Sequence, residues 1–224
     1  MREIVLDTET TGLRPEDGHR IIEIGLVELN NRRLTGRTFH TYINPKRAID
    51  AGALAVHGIT TEFLADKPSF DMIFSDLMAF IEDSALVIHN APFDLGFLNH
   101  EFKRIKHPKL LAEQCIVVDT LKIARDKYPG QKNNLDALCK RLKVDNTDRK
   151  LHGALLDAKI LAYVYLAMTG GQSGFFEQDD SSVEQVQQNE SRKPRTARKA
   201  SLVLRATREE VDAHLAFMER ITGE

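Results

Sequence analysis

The chain reads as a single α/β domain built on a mixed β-sheet of about five strands flanked by helices, with a polar tether and a short terminal element behind it. Three observations lead there. Apolar residues near the start recur with the period of two that marks strands, and further on they recur with the 3.6 period of helices. Past residue 80 the two kinds of segment alternate, as they do where strands are added in parallel through helical crossovers. The length of 224 residues suits one full-sized domain plus an appendage.

Each element has its own warrant. Ile4-Val5-Leu6 is a short, largely β-branched run that ends at Asp7. Ile21 to Leu29 alternates as a second strand and is closed by the turn pair Asn30-Asn31. Thr38 to Ile43 is a third, ahead of Asn44-Pro45. Tight connections between the three imply an antiparallel meander. Phe70, Ile73, Phe74, Leu77 and Ile81 then fall on one helical stripe, and Ala85 to Ile88 is a buried strand. Phe93 to Ile105 is helical and Ile116 to Val118 a strand. Asn134 to Leu142 and Ala154 to Met168 are helices, the last stopped by Gly170-Gly171. The sum is three antiparallel strands followed by two parallel ones.

The domain is expected to span residues 1–171, with a flexible linker over 172–200. Glu177 to Ala200 holds two Val and no larger apolar side chain, too little to offset the entropy of ordering. In residues 201–224, Ser201 to Ala206 is strand-like, and Thr207 to Glu210 forms a capping box. Val211, Leu215, Met218 and Ile221 follow on one stripe. So short a piece cannot bury a core alone, so it folds back on the domain or docks on another protein.

Composition excludes several classes. With 42% hydrophobic and 29% charged residues, the chain is neither collagen-like, nor a disulfide scaffold, nor disordered throughout. A net charge of −2 gives no global reason to bind nucleic acid. Locally, Thr120 to Lys150 carries nine Lys or Arg against four Asp, which either lines the approach of a nucleic-acid strand or marks exposed helix faces. Cys115 and Cys139 lack disulfide or zinc spacing, and a cytoplasmic setting follows. No stretch nears the ~20 apolar residues of a membrane span, and the start resembles no targeting peptide.

The chemistry lies in three clusters. Asp7 and Glu9 are two apart at the end of the first strand, so a strand continuing through them places both carboxylates on one side of the sheet; otherwise they are an exposed strand end. Asp94 follows His89-Asn90-Ala91-Pro92-Phe93 at a strand-to-helix corner, either as a site residue or as a helix cap. His152 precedes Gly153 at a helix start, and Asp157 lies within an otherwise apolar helix, where a carboxylate needs a cation.

Four such carboxylates carry about four negative charges, which two divalent cations balance in two-metal phosphoryl chemistry. Hard oxygen ligands select Mg²⁺ or Mn²⁺ over zinc. An imidazole, with an unperturbed pKa near about 6.5, suits His152 to take a proton from the attacking water. No GxSxG elbow or activated cysteine offers a nucleophilic alternative.

The segments Asp7-Thr-Glu9-Thr-Thr-Gly, His-Asn-Ala-Pro-Phe-Asp94 and His152-Gly-Ala-Leu-Leu-Asp157 resemble the three motifs of the DEDDh exonucleases, ribonuclease-H-like enzymes that remove nucleotides from 3′ ends. More narrowly, Arg2 through Gly171 is similar to the proofreading subunits of bacterial DNA polymerase III. The likeness includes VHGIT (Val56 to Thr60), NNRRLTG ending at Gly36, NLDALC (Asn134 to Cys139) and LAMTGGQ (Leu166 to Gln172). The resemblance implies that Asp7, Glu9, Asp94 and Asp157 hold two metal ions, Mg²⁺ or Mn²⁺, with His152 as general base. It further implies that Thr10, Leu13, His57, Asn90 and Phe93, together with His152, receive the 3′-terminal nucleotide of DNA. By their residue types alone, Leu13 and Phe93 are equally core residues and His57 equally the support of a turn.

The implied partners are the catalytic (alpha) subunit of the polymerase, reached through the C-terminal tail, and the sliding clamp, reached through Gln172-Ser173-Gly174-Phe175-Phe176. That pentapeptide has the Gln and two terminal hydrophobics of a clamp motif but lacks its Leu. Two other functions fit less of the sequence: RNA trimming from the 3′ end, which needs no docking tail, and a mainly structural role as a polymerase adaptor, which needs no acidic set.

Overall fold

The computed structural model describes residues 1–170 and Arg208, which is helical and exposed. The expected linker, the clamp-like pentapeptide and, Arg208 apart, the docking element lie outside the described residues. Strands β1 (Arg2–Thr10), β2 (Ile21–Asn30) and β3 (Arg33–Tyr42) form the antiparallel meander. β4 (Ala85–Ile88) and β5 (Ile116–Asp119) add in parallel beside β1, giving the order β3-β2-β1-β4-β5. Helices α1 (Ala51–His57), α2 (Thr61–Leu64), α3 (Phe70–Ile81), α4 (Ala91–Arg104), α5 (Thr120–Lys127), α6 (Leu135–Leu142) and α7 (Ala154–Thr169) complete the chain. No helix among the described residues is long and apolar enough to cross a membrane.

The expected class and strand order of assembly hold, with differences at element ends. β1 runs on through Asp7 and Glu9 to Thr10, past its apolar run, because β2 pairs along nearly its whole length. β3 starts at Arg33 rather than Thr38. Its first residues are mostly exposed, with Leu34 alone packed inward, and ladder bonds to β2 rather than an apolar alternation hold them in the strand. The turn between the two has Asn31 at φ 48° and Arg32 at φ 63°, the left-handed pair that suits a tight hairpin. Sequence reasoning missed α1, α2 and α5. α1 is mostly exposed and built from small residues, α2 is four residues long, and α5 follows β5 without a break, capped by Asp119.

Alternation along β1 divides the core. Ile4 and Leu6 face α3 and α4, where they pack with Phe70, Leu77, Phe97 and Phe102. Val5 faces α7 and packs with Ala158, Leu161 and Tyr165. On its far side α7 meets α5 and α6 through Ile160, Val164 and Met168. Burial on both sides explains why this helix is apolar almost all round. The loop after β1 is fastened to α4 by Arg20, whose guanidinium grips Glu101 at 2.5 and 2.7 Å.

The start of α7 presses closely onto the sheet at Gly25 of β2. A Cβ there would lie 2.2 Å from the Leu155 amide nitrogen and 2.3 Å from the Ala154 carbonyl carbon, backbone atoms that cannot yield alone. Gly25 is also the residue opposite Asp7 in the ladder. Gly25→Ala is therefore expected to lift the start of α7 and destabilise the domain by about 1–3 kcal/mol, the usual range for overpacking. Thermal or urea melts of the purified variant measure this, and an unchanged midpoint would mean that the helix start is not pressed onto the strand.

Candidate active site

The odd-numbered residues of β1 face α7. Val5 packs on it, and Glu3 accepts a hydrogen bond of 2.6 Å from Tyr165. The same period carries Asp7 and Glu9 to that side at the carboxyl end of the strand, where the first turn of α7 presents Asp157. Glu9, Asp157 and His152 each bring a ligand atom within 4.8 Å of the others. Thr8, pointing the opposite way, donates to Asp94 at 2.7 Å from the face that α4 covers. The cap of α4 is Asn90, in the left-handed region at φ 64°, so Asp94 is free of that duty and lies buried in the first turn. Residues from β1, α4 and the start of α7 thus converge at the carboxyl ends of β1 and β4, the usual site position in open α/β sheets.

His152 sits just before Gly153, the N-cap of α7, with its side chain 44% exposed. Its loop is pinned from α1, because its backbone N–H donates to the Val56 carbonyl at 3.1 Å.

Crowding of acids dominates the electrostatics. Asp7 is held well above the usual carboxylate range, first by burial and then by repulsion from Asp94, Glu9 and Asp157. Glu9 is pushed up to about 8 by burial, then by Asp157, Glu23 and Asp94. Asp94 rises to about 7 through burial, opposed by the hydrogen bond from Thr8.

Among the described residues one cation, which sequence reasoning missed, reaches into this cluster. Arg149 grips Asp157 with both prongs, Nε to Oδ1 at 2.6 Å and Nη2 to Oδ2 at 2.7 Å. Its Nη1 donates to Asp136 of α6 at 2.8 Å, and Nη2 lies 3.2 Å from Nδ1 of His152. Arg149 falls within the basic stretch noted in the sequence, but nothing in its spacing from Asp157 on an irregular loop distinguishes it from the other eight. Thr8, Asp136 and Gly25 were equally silent.

All ten sequence-predicted residues line one cleft of about 740 Å³. Leu13 is 80% exposed at its rim, which removes the core alternative. Phe93 does both jobs, lining the cleft while its ring packs 5.0 Å from Phe97. His57 ends α1 and supports the turn, its Nδ1 accepting from the Ile59 amide at 3.0 Å. Its buried Nε2 has no partner among the described residues. Thr10 is inside the cleft wall with its hydroxyl bonded to the Gly12 carbonyl at 2.7 Å.

The donor set suits hard divalent cations. Carboxylates from three chain segments share one cleft, and their own repulsion and burial call for more positive charge than one guanidinium gives. A carboxylate cluster with an adjacent imidazole and an open cleft can bind a phosphodiester and hydrolyse it with metal assistance.

A family model described as "Exonuclease" matches residues 4–165. The DNA polymerase III subunit epsilon of Rickettsia felis is 51% identical over 222 residues, covering 99% of this chain and 97% of its own length. That of Escherichia coli is 50% identical over 228 residues, covering 98% and 93%. Among solved structures, exonuclease X in complex with 5′ overhanging duplex DNA is similar at a TM-score of 0.58 and 29% identity, over 74% of this chain and 90% of that one. The nuclease domain of 3′hExo, a DEDDh family member bound to rAMP, shares the fold at a TM-score of 0.64 and 22% identity, over 75% and 90%.

The raised carboxyl groups make stability depend on pH. Asp94 and Glu9 bind protons more readily in the folded chain than in the unfolded one, so their contribution is full below about pH 4 and lost as pH rises through about 7 and 8. In EDTA the protein should therefore melt at a lower temperature at pH 8.5 than at pH 5.5, and a saturating divalent cation should restore the loss. Thermal scans at both pH values check this, and a higher melting temperature at the alkaline pH in EDTA would contradict the assignment.

Proposed function

The chain belongs to the exonuclease family and, within it, to the DNA polymerase III epsilon subunits, and from that membership we propose that it proofreads DNA by hydrolysing mismatched nucleotides from primer 3′ ends. The observation that carries the reading is the convergence of Asp7, Glu9, Asp94 and Asp157 beside His152 in an open cleft. Membership implies divalent metal ions, and the charge of four carboxylates matches two of them, Mg²⁺ or Mn²⁺. Bound there, they would supply the positive charge that activates a water and steadies the leaving oxygen.

The protein's own groups do the rest. A neutral ring nitrogen of His152 takes a proton as the water oxygen bonds to phosphorus. The bond from phosphorus to the 3′ oxygen of the penultimate residue breaks, and a nucleoside monophosphate departs. Leu13 and Phe93 offer apolar and aromatic faces to the terminal base, a contact indifferent to base identity, as an editing enzyme requires. His57 Nε2, Asn90 and the wall around Thr10, which line the same cleft, would meet the sugar and phosphate. Selectivity for mismatches follows from fraying, because a mispaired end is easier to unstack and bring into the cleft.

The domain reading extends this to partners. Residues 1–171 act as the nuclease, 172–200 as a linker, and 201–224 as the element that docks on the alpha subunit in the cytoplasm. Gln172 to Phe176 is the segment proposed for the sliding clamp.

Digestion of 5′-labelled DNA and RNA strands with Mg²⁺, Mn²⁺ or EDTA, beside a duplex with a 3′ mismatch, tests the activity. Metal-dependent shortening of DNA from the 3′ end, faster at the mismatch, is expected. Shortening of RNA alone would favour RNA trimming, and no cleavage at all would favour the adaptor role. His152→Ala should lower the rate by roughly 10²- to 10⁴-fold, and Asp7→Ala should abolish it while the fold survives. Truncation after Gly171 should keep nuclease activity and lose co-elution with the alpha subunit; co-elution of the truncated form would overturn the tail assignment.

A further inference from the structure

Arg149 stands where positive charge is most needed. Its guanidinium occupies both oxygens of Asp157, and the pair is sealed from water, with side-chain exposures of 7% and 4%. A cation bound at about 2.0–2.6 Å from either oxygen, the distance Mg²⁺ or Ca²⁺ takes from a carboxylate, would share that oxygen with an N–H donor at 2.6 or 2.7 Å. Each oxygen keeps a second lone pair, but a dication and a guanidinium crowded onto the same two oxygens repel each other across so short a gap. Asp157 therefore binds a divalent cation less readily while Arg149 grips both of its oxygens.

The same guanidinium reaches the base. Arginine has donors only, so the contact of 3.2 Å makes Nδ1 of His152 the acceptor and places the ring hydrogen on Nε2. A neutral imidazole so engaged has no lone pair free to take a proton. One side chain thus holds a carboxylate and the proton acceptor together. Its third contact, Nη1 to Asp136 at 2.8 Å, lies on a carboxylate outside the acidic four. Asp136 is itself steadied by Asn146 at 3.2 Å and is 58% exposed, so it leaves the guanidinium a partner at the cleft edge when Asp157 is taken.

We propose that Arg149 is a positioning latch on the active site: it holds Asp157 and caps His152 in the metal-free protein, and divalent metal binding displaces it from Asp157. This rests on the metal-dependent reading above and adds to it a residue that competes with the metal. The consequence is that Arg149 keeps the acidic cluster assembled without metal, weakens metal binding, and uncovers the His152 lone pair only when the site is loaded.

The test uses the full-length protein and two readouts other than turnover, Mn²⁺ affinity by calorimetry and melting temperature in EDTA and in saturating Mn²⁺. Arg149→Gln should bind Mn²⁺ about tenfold tighter or more, within the range over which groups around a metal site set its affinity. It should melt lower than the parent in EDTA and at the same temperature when loaded. Arg149→Lys keeps the charge without the fork and should fall between the two in affinity. Arg149→Gln binding Mn²⁺ with unchanged or weaker affinity would overturn the latch, as would an equal drop in melting temperature with and without metal, the mark of a purely structural ion pair. Should Arg149→Gln fail to fold, Arg149→Lys decides alone, and parental affinity in it overturns the proposal. Absence of Mn²⁺ binding in the parent would sink the metal-dependent reading and the latch together, whereas parental binding unmoved by either variant sinks the latch only.

Discussion

Repulsion among four crowded carboxylates, three of them buried and Asp7 half-buried, is the constraint around which this domain is arranged. Three devices deliver them: the strand period brings Asp7 and Glu9, the first turn of α4 brings Asp94, and the first turn of α7 brings Asp157. The apolar core holds them in place against their own charge. Ile4 and Leu6 belong to one side of the sheet and Val5 to the other, so a slip of β1 by one residue would bury Asp7 and Glu9 among the phenylalanines of α3 and α4. The register that packs the core is the register that assembles the site.

Several residues that matter to the site never touch it. Gly25 contributes no ligand, yet the missing Cβ at that point lets α7 descend onto β2 and carry Asp157 to the level of Asp7. The backbone N–H of His152 is anchored to α1, and an added Cβ at Gly58 would come within 2.8 Å of Leu151, so α1 and the His152 loop are fitted together. Thr8 hands Asp94 a hydrogen bond that opposes the rise caused by burial. A cleft built this way is positioned by packing on both faces of the sheet, so a change in either face reaches the chemistry.

Much of this was legible in the amino-acid sequence, and the limits have physical causes. Strands β2 and β4 and helices α3, α6 and α7 declare themselves because burial imposes a period, and Asp7, Glu9, Asp94, His152 and Asp157 stand out because charged residues interrupt that period at element ends. The start of β3 and helix α1 carry no such signal, since exposed backbone pairing and a short helix of small residues require no apolar stripe. Arg149 was hidden for a different reason. A guanidinium on a loop can reach across several ångströms in many directions, and only the assembled fold shows that it turns inward onto Asp157.

The raised carboxyl groups join folding, metal and proton in a single balance. Glu9 at about 8 and Asp94 at about 7 retain protons near neutrality while no metal is present, so a divalent cation must displace protons as it binds. Anything that binds the folded chain and not the unfolded one stabilises it in proportion to the logarithm of its concentration over its dissociation constant. Metal therefore does two things at once in such a site: it removes the repulsion that strains the fold, and it releases the groups that chemistry requires. A cluster this repulsive, kept assembled by protons and, among the described residues, one guanidinium, is suited to divalent cations, and its acidity and its metal affinity are two expressions of the same repulsion.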